Sequence, residues 1–400
     1  MKIALAVSQL GMGGAETSAL RLAQHLTRNG HDVTICAMNE GSLWAELERC
    51  ELKGHLFPHS ALNSVVQISK SLANFWNQQK FDLVILRLAN RISYQAAHML
   101  EDQIGVLAIL RNPRPEVHSF IAKHRMAWNV AIGVGPLVQQ VGQHHNPGKT
   151  VLHVPNGVEI PSRSDLADRI PWSQPLRLVY LGRLFDGTKG IFRLPHILAA
   201  CHQRQLPVQL TVIGDGPDRE RLLHSFKDLN VADSVTMLGF QELGTIPAHL
   251  RQHHVLVLPS RSEGLPNVLL EAQANGCVPV ATLLPGSTDV AINAPITGRL
   301  VENGEIGKFV DEIEAMLDRA AWNQASQAGV ERSHRLFSME TMGAGYEAVI
   351  QDLHAGKYPL SRPFNQSHSL KDVPFGWRDY WPRPRLRSRL GKLARTLGWS

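Results

Sequence analysis

The sequence predicts an α/β protein with two similar halves, each built on a parallel sheet covered by helices. Short apolar runs alternate with helical segments along most of the chain, as is typical of parallel strands buried on both faces. At 400 residues the chain is also long for a single hydrophobic core. A proline-rich break near the middle separates two such series, so we expect two domains with a cleft between them.

The first half begins with a strand over residues 2–8, followed by the glycine-rich turn GMGGAE (residues 11–16) and a helix to about residue 29. Further strands are predicted at 32–38, 82–88, 104–111, 129–134 and 150–154. The turn partly matches the fingerprint of nicotinamide-dinucleotide binding. That fingerprint requires a third glycine where Glu16 stands, so the sequence does not favour a nicotinamide cofactor. The glycines suit a loop whose backbone approaches a ligand, and the alternative is a tight turn without one.

Domain boundaries follow from the break in this pattern. The sequence predicts a first domain over 1–160, a linker with several prolines over 161–175, and a second domain over 176–340. Strands of the second domain are expected at 176–182, 209–214, 234–238, 254–258, 278–281 and 298–301. A helix is predicted for 341–356, and residues 357–400 form a basic tail rich in Pro, Arg and Trp.

The stretch 255–282 (VLVLPSRSEGLPNVLLEAQANGCVPVAT) has the most informative pattern in the chain. A buried strand leads into a polar loop, Pro266 suits the first position of a helix, and Gly276 suits its left-handed end. The helix N-terminus carries free amides and partial positive charge, which favour an anionic ligand. Glu263 lies in the loop and Glu271 in the helix, so carboxylates flank the predicted anion site.

Two basic residues are expected at the same edge of the second sheet. Arg183 follows the first strand of the second half, and Lys189 lies six residues later, before a glycine and a helix. Ligands of open α/β sheets bind beyond the carboxyl ends of the strands. Each residue taken alone is better explained as a solvated surface cation. Together, a guanidinium and an ammonium beside a helix N-terminus that has carboxylates next to it suit a pyrophosphate group.

Three motifs together resemble the retaining nucleotide-sugar glycosyltransferases of family 4, which have the GT-B fold of two Rossmann-like domains. The motifs are GGAE (residues 13–16), GRL with KG (residues 182–190) and EGLPNVLLEAQANGCVPV (residues 263–280). The resemblance covers roughly residues 1–350. It implies a metal-independent enzyme that moves a sugar from a nucleoside diphosphate to a glycan, lipid-linked or small-molecule acceptor, with no cofactor.

The resemblance also implies a role for each matching residue. Glu271 would bind the ribose hydroxyls and Glu263 the hydroxyls of the donor sugar, while Arg183 and Lys189 would bind the pyrophosphate and stabilise its charge. The remaining predicted donor contacts come from backbone: Gly13, Gly14, Gly264, Leu265 and Asn267. Fixed cations around a departing diphosphate stabilise the transition state more than the ground state.

The acceptor side departs from the family pattern. Many relatives carry a histidine after the fourth strand of the first domain, but here Arg111 or Asn112 occupies that place. His118 is near in sequence, without a pattern that assigns it the role. Arg111 and Arg114 suit either an anionic acceptor or a solvated loop edge. The alternatives for the whole chain are a nucleotide-sugar epimerase and a non-catalytic nucleotide-sugar-binding protein on the same scaffold.

Composition indicates a cytoplasmic protein. The four cysteines show no C-x-x-C pair, which favours reduced thiols, and neither a signal peptide nor an apolar run of about 20 residues is present.

The C-terminal stretch is basic. Residues 381–400 hold six of the basic residues and no acidic ones, against a net charge of +6 for the chain. Their leucines and basic residues are spaced for an amphipathic helix (Leu386, Leu390, Leu393 and Leu397; Arg387, Arg389, Lys392 and Arg395).

This tail suits peripheral association with an anionic surface at the inner face of a membrane. A disordered or protein-docked tail is the alternative. Nucleic-acid binding is not expected, because the rest of the chain is near neutral and has no recognition motif.

Overall fold

The computed structural model describes residues 1–11, 13–57, 63–87 and 90–374. The chain divides into two compact units. The first comprises Met1–Val134, Val138–Val154 and the described residues from 343 on, and the second comprises Gly135–Leu137 and Pro155–Met342.

A seven-stranded sheet of parallel strands forms the centre of the first unit. Its strands are β1 (Lys2–Gln9), β2 (Asp32–Asn39), β3 (Lys53–Leu56), β4 (Leu83–Arg87), β5 (Gly105–Leu110), β6 (Val130–Gly133) and β7 (Thr150–His153). The spatial order is β3-β2-β1-β4-β5-β6-β7, so the order reverses between β1 and β4. The helices are α1 (Gly14–Arg28), α2 (Glu46–Arg49), α3 (Val65–Gln78), α4 (Arg91–Ala97), α5 (Pro115–Lys123) and α6 (Pro136–His145).

The second unit has a six-stranded parallel sheet in the order β10-β9-β8-β11-β12-β13. Its strands are β8 (Leu176–Leu181), β9 (Val208–Ile213), β10 (Val235–Gly239), β11 (Val255–Leu258), β12 (Val278–Thr282) and β13 (Arg299–Val301). Its helices are α7 (Arg163–Ala167), α8 (Asp186–Lys189), α9 (Arg193–Gln203), α10 (Arg219–Asp228), α11 (Ile246–Arg251), α12 (Asn267–Ala274), α13 (Thr288–Ala291), α14 (Ile306–Ala315) and α15 (Arg319–Leu336). The order reverses between β8 and β11, which places a topological switch point there.

The central strands form because their residues are apolar on both faces. All residues of β4, β5 and β11 are buried, and helices cover both sides of each sheet. The expected α/β class with two parallel sheets is therefore confirmed. In the part of the chain that the structure describes, every helix falls short of the length and apolar character needed to span a membrane.

The C-terminal segment differs from the predicted tail. Helix α16 (Met339–His354) is followed by residues 357–374, which include α17 (Pro363–Ser367) and lie against the first unit. Arg362 is fully buried and donates to the Glu101 and Ile104 carbonyls at 3.1 and 3.0 Å. The Asn129 amide donates to the Tyr358 carbonyl at 2.8 Å. Residues 375–400, with the predicted amphipathic stretch, lie outside the described residues.

Candidate functional site

Two loops meet at the switch point of the second unit, as the sequence predicts. One loop follows β8 and contains α8, and the other follows the neighbouring strand β11. The Arg261 amide donates to the Thr188 carbonyl at 2.8 Å, and the Arg261 guanidinium pairs with the Asp186 carboxylate at 3.2 Å. These contacts fix the two loops against each other at the carboxyl edge of the sheet, where open α/β sheets bind ligands.

An ion pair links the two predicted site residues in these loops. Lys189 Nζ lies 2.6 Å from Glu263 Oε1, and the side chains are 24% and 10% exposed. The buried Ser260 hydroxyl donates to the same carboxylate oxygen at 2.7 Å. The structure thus brings Lys189 and Glu263 together and orients the carboxylate from two sides.

A glycine allows the two loops to approach this closely. Helix α8 is followed by Gly190, which has φ of 60°, in the left-handed region that glycine adopts without a steric penalty. A Cβ at this position would collide with the Pro259 carbonyl oxygen. The KG dipeptide therefore has a structural reason: the glycine places the lysine against the neighbouring loop.

Arg183 lies at the same edge but does not join the ion pair. Its side chain is exposed and its guanidinium lies 5.9 Å from the centre of the Phe185 ring. Within the described residues that guanidinium forms neither a hydrogen bond nor an ion pair. The backbone of Arg183 is fixed, because the buried Tyr180 hydroxyl donates to its carbonyl at 3.1 Å. Burial, followed by the Glu263 and Asp186 charges, raises the pKa of Tyr180, which keeps the phenol protonated.

Helix α12 begins where the β11 loop ends. Pro266 was predicted as the first residue of this helix. In the structure Pro266 is the extended residue before the helix, and Asn267 is the first helical residue. Gly264 is partly exposed, whereas Leu265 and Asn267 are buried. Glu271 occupies the second turn of α12 and is partly exposed. Its carbonyl accepts a hydrogen bond from the Asn275 side-chain amide at 2.9 Å.

Asn156 supports this loop and was not predicted as a site residue. It is buried, and its side-chain amide donates to the Leu265 carbonyl at 3.1 Å. It belongs to the Pro-Asn-Gly sequence at residues 155–157, near the end of the predicted first domain, where no motif indicates a site. Ser260 was missed as well, because a serine three residues before a glutamate is common in loops.

The predicted glycines of the first unit lie at the start of α1. Gly13 is the extended residue before the helix, with φ of −172°, and Gly14 is its first residue. The Thr17 hydroxyl donates to the Gly13 carbonyl at 3.1 Å. A Cβ on Gly13 would lie 2.5 Å from a carboxylate oxygen of Glu16, so this glycine leaves room for that carboxylate.

On the predicted acceptor side, Arg111 and Asn112 follow β5. The Arg111 guanidinium donates to the Gly14 carbonyl at 3.4 Å, and the Asn112 side-chain oxygen accepts from the Arg114 amide at 2.8 Å. His118 is fully buried, with Nε2 lying 2.8 Å from the Asn112 carbonyl oxygen. Burial lowers the pKa of His118, which favours the neutral ring. In this structure His118 supports the loop behind Arg111.

Metal ligands were not predicted. In the described ranges no group of three or more His, Cys, Asp or Glu side chains is arranged to hold a metal ion. The four cysteines all lie in the described residues, and none of them forms a disulfide there.

Two family models match the chain. Residues 166–330 match the model described as glycosyl transferases group 1, and residues 12–128 match the model described as glycosyltransferase family 4. The first match lies in the second α/β region of the sequence and the second match in the first α/β region. Both halves of the chain therefore match glycosyltransferase models.

Curated relatives are similar over part of their length. The chain is 27% identical over 233 residues to a D-inositol 3-phosphate glycosyltransferase of Mycolicibacterium smegmatis, covering 54% of this chain and 52% of the relative. It is 31% identical over 137 residues to the lipopolysaccharide 1,6-galactosyltransferase of Escherichia coli K12, covering 33% of this chain and 37% of the relative. The aligned part thus spans about half or less of these curated relatives.

Solved structures show the same fold. The Anabaena protein HepE, solved in complex with UDP and glucose, superimposes with a TM-score of 0.75 at 17% sequence identity. The superposition covers 88% of this chain and 100% of HepE. At this level of identity the likeness establishes the GT-B fold, and the predicted fold is confirmed.

Proposed function

The chain belongs to the family 4 type of GT-B glycosyltransferases, and from that premise we propose that it transfers a sugar from a nucleoside-diphosphate donor to an acceptor hydroxyl with retention of anomeric configuration. The observation that carries this proposal is the contact between Lys189 and Glu263 at the switch point of the second sheet. A cation and an oriented carboxylate there can serve a ligand that combines a diphosphate with hydroxyl groups.

The roles of the side chains follow from their chemistry. Lys189 and the exposed Arg183 are the cations at this edge, so we assign them to the diphosphate. Glu263 accepts hydrogen bonds from the hydroxyls of the donor sugar, and Glu271, one helical turn into α12, accepts them from the ribose. The amides of Gly264, Leu265 and Asn267 contribute further donors to the diphosphate.

The reaction has one bond to break and one to form. The bond between the anomeric carbon and the diphosphate oxygen breaks, the acceptor oxygen bonds to the same carbon, and the acceptor hydroxyl passes its proton to an oxygen of the departing diphosphate. Negative charge develops on the departing diphosphate, where Lys189, Arg183 and the α12 N-terminus stabilise it. These fixed charges take the role that a divalent ion plays elsewhere, so we propose a metal-independent reaction.

Product analysis tests the reaction. The protein is incubated with radiolabelled UDP-, GDP- and ADP-sugars and a panel of glycan, lipid-linked and small-molecule acceptors, and the products are separated. Transfer predicts free nucleoside diphosphate together with a labelled acceptor, unchanged by EDTA. A changed donor sugar without acceptor indicates epimerisation, and binding without turnover across the panel indicates a binding protein. Proton NMR of the product distinguishes retention from inversion at the anomeric carbon.

We propose that the protein transfers the sugar to its acceptor at an anionic membrane surface, and that residues 381–400 bind this surface. The support is the sequence of this stretch, which combines six basic residues with regularly spaced leucines. Deletion of residues 381–400 is expected to reduce binding to phosphatidylglycerol liposomes while leaving nucleotide binding intact. Unchanged liposome binding would contradict this part of the proposal.

A further inference from the structure

Two arginines lie side by side at the carboxyl edge of the first sheet. Arg87 is the last residue of β4, and Arg111 follows the adjacent strand β5. Arg87 is only 2% exposed and Arg111 is partly exposed. Each guanidinium is close enough to Glu16 and to the buried Tyr346 of α16 for their charges to influence its pKa.

The hydrogen-bond partners of these arginines are neutral. Arg87 donates to the Ala15 carbonyl at 2.6 Å, and Arg111 donates to the Gly14 carbonyl at 3.4 Å. Among the residues that the structure describes, no carboxylate lies within ion-pair distance of either guanidinium. A guanidinium has several further N–H groups, so these two carbonyls leave most of its donors available.

This arrangement is electrostatically costly without an anion. Burial, followed by the neighbouring Arg111 charge, lowers the pKa of Arg87 to about 9, although Tyr346 and Glu16 oppose the shift. Burial also lowers the pKa of Arg111. Buried charges in proteins are ordinarily paired, because removing them from water costs free energy that only a partner repays. Two adjacent cations with one carboxylate nearby leave an excess of positive charge.

The location points to a ligand as the missing partner. The strand order reverses between β1 and β4, so Arg87 at the end of β4 and Gly13 before α1 flank the switch point of the first sheet. The amides at the start of the 15-residue helix α1 add positive potential at the same place. Paired guanidiniums recognise phosphate or carboxylate groups through several charge-assisted hydrogen bonds.

We propose that Arg87 and Arg111 bind an oxyanion, a phosphate or a carboxylate, that the acceptor substrate carries. This inference rests on the proposed function, since it supplies the acceptor class for the same reaction. It assigns an acceptor-binding role to Arg87, which the sequence pattern did not single out. For Arg111 it favours binding of an anionic acceptor over a solvated loop edge.

Inorganic phosphate is the probe for the site. It is titrated calorimetrically into the full chain with UDP present, so that UDP occupies the diphosphate site of the second unit. Saturable phosphate binding is expected, and Arg111→Gln is expected to weaken it at least tenfold because charge-assisted hydrogen bonds are lost. Arg28→Gln is the matched control, since it removes an equal charge from the exposed far end of α1. Equal binding to the wild type and Arg111→Gln, or none to the wild type, overturns the proposal.

Further variants separate this inference from the donor site. Arg87→Lys keeps the positive charge but removes the planar guanidinium, which can donate two parallel hydrogen bonds to one oxyanion, so it should weaken phosphate binding. If this variant does not fold, Arg111→Lys tests the same requirement for a guanidinium. Lys189→Gln should weaken UDP binding and leave phosphate binding in place. Absence of UDP, GDP and ADP binding to the wild type contradicts the donor proposal alone.

The kinetic test uses acceptors. Arg111→Gln should raise KM for phosphorylated or carboxylated acceptors at least tenfold, while UDP affinity stays unchanged. An equal effect on neutral acceptors would overturn the assignment to the acceptor anion.

Discussion

At the residue scale, the Lys189–Glu263 ion pair connects the sequence pattern to the chemistry. The motifs predicted that both residues belong to one site, because each follows the carboxyl end of a strand near a helix. Sequence spacing does not predict that the two charges contact each other at 2.6 Å or that Ser260 shares the carboxylate. Those facts depend on the pairing of β8 with β11, which brings residues about 70 positions apart in sequence together.

Lys189→Ala is expected to lower turnover by about 10², since it removes a cation that stabilises the leaving diphosphate. The measurement is kcat with saturating donor, alongside thermal unfolding to confirm folding. Lys227→Ala, an exposed lysine at the end of α10, is the matched control and should leave kcat unchanged. A Lys189→Ala enzyme with wild-type kcat would remove Lys189 from the proposed site.

Ser260→Ala should raise the donor KM about fivefold, because one hydrogen bond that orients Glu263 is lost, a change of about 1 kcal/mol. Initial rates at varied donor concentration measure it, with Ser225→Ala in α10 as the control. We expect kcat to change less than KM. If KM does not move, the Ser260 hydroxyl has no part in orienting Glu263.

At the element scale, the sequence predicted most strands within one or two residues, because their apolar runs are continuous. It missed β3, whose residues Lys53–Leu56 (KGHL) are mostly exposed and show no apolar pattern. It also treated residues 357–374 as tail. Their attachment depends on Arg362, a residue type that composition assigns to the surface but that here is fully buried.

Arg362→Ala is expected to destabilise the protein by about 2 kcal/mol, because the Glu101 and Ile104 carbonyls lose their donor and a cavity remains. Urea unfolding followed by circular dichroism measures the change. Lys357→Ala is the control, since its side chain is exposed and pairs only at the surface with Asp352. Equal midpoints for Arg362→Ala and Lys357→Ala would show that the buried Arg362 side chain contributes no stability.

Two histidines at the ends of α4 and α5 make the stability depend on pH. His98 Nε2 lies 3.2 Å from His124 Nδ1, and both rings are buried. Burial, followed by the Arg362 charge, lowers the pKa of His98 to about 4, and burial also lowers the pKa of His124. The unfolded chain binds these protons below about pH 6.5. Stability is therefore fully present above that pH and falls as the pH drops towards 4.

His98→Gln should flatten this dependence. Urea unfolding between pH 7 and pH 5 measures the slope, which we expect to be smaller in the variant than in the wild type. The exposed His224→Gln is the control and should keep the wild-type slope. Equal slopes in His98→Gln and the wild type would contradict the assignment.

At the scale of the whole molecule, there are two parallel sheets, each with its own switch point. We propose that one sheet carries the donor site and the other the site for the acceptor anion. The second unit presents Lys189, Glu263 and Glu271 to the donor, and the first presents Arg87 and Arg111 to the acceptor anion. Sequence motifs could name the proposed donor residues because these are concentrated in two short loops, and their roles stay predictions. The motifs did not single out Arg87, because Arg87 and Arg111 are adjacent only through the pairing of β4 with β5.

Calorimetric titration of UDP, GDP and ADP into the wild type and Glu271→Ala tests the donor site most directly. We expect saturable binding of at least one nucleoside diphosphate to the wild type. We also expect at least tenfold weaker binding to Glu271→Ala, because the ribose hydroxyls lose a charged acceptor. Glu340→Ala, an exposed glutamate in the first turn of α16, serves as the control. No binding of any of the three to the wild type, or equal affinity of the wild type and Glu271→Ala, would contradict the proposed nucleotide-sugar site of the second unit.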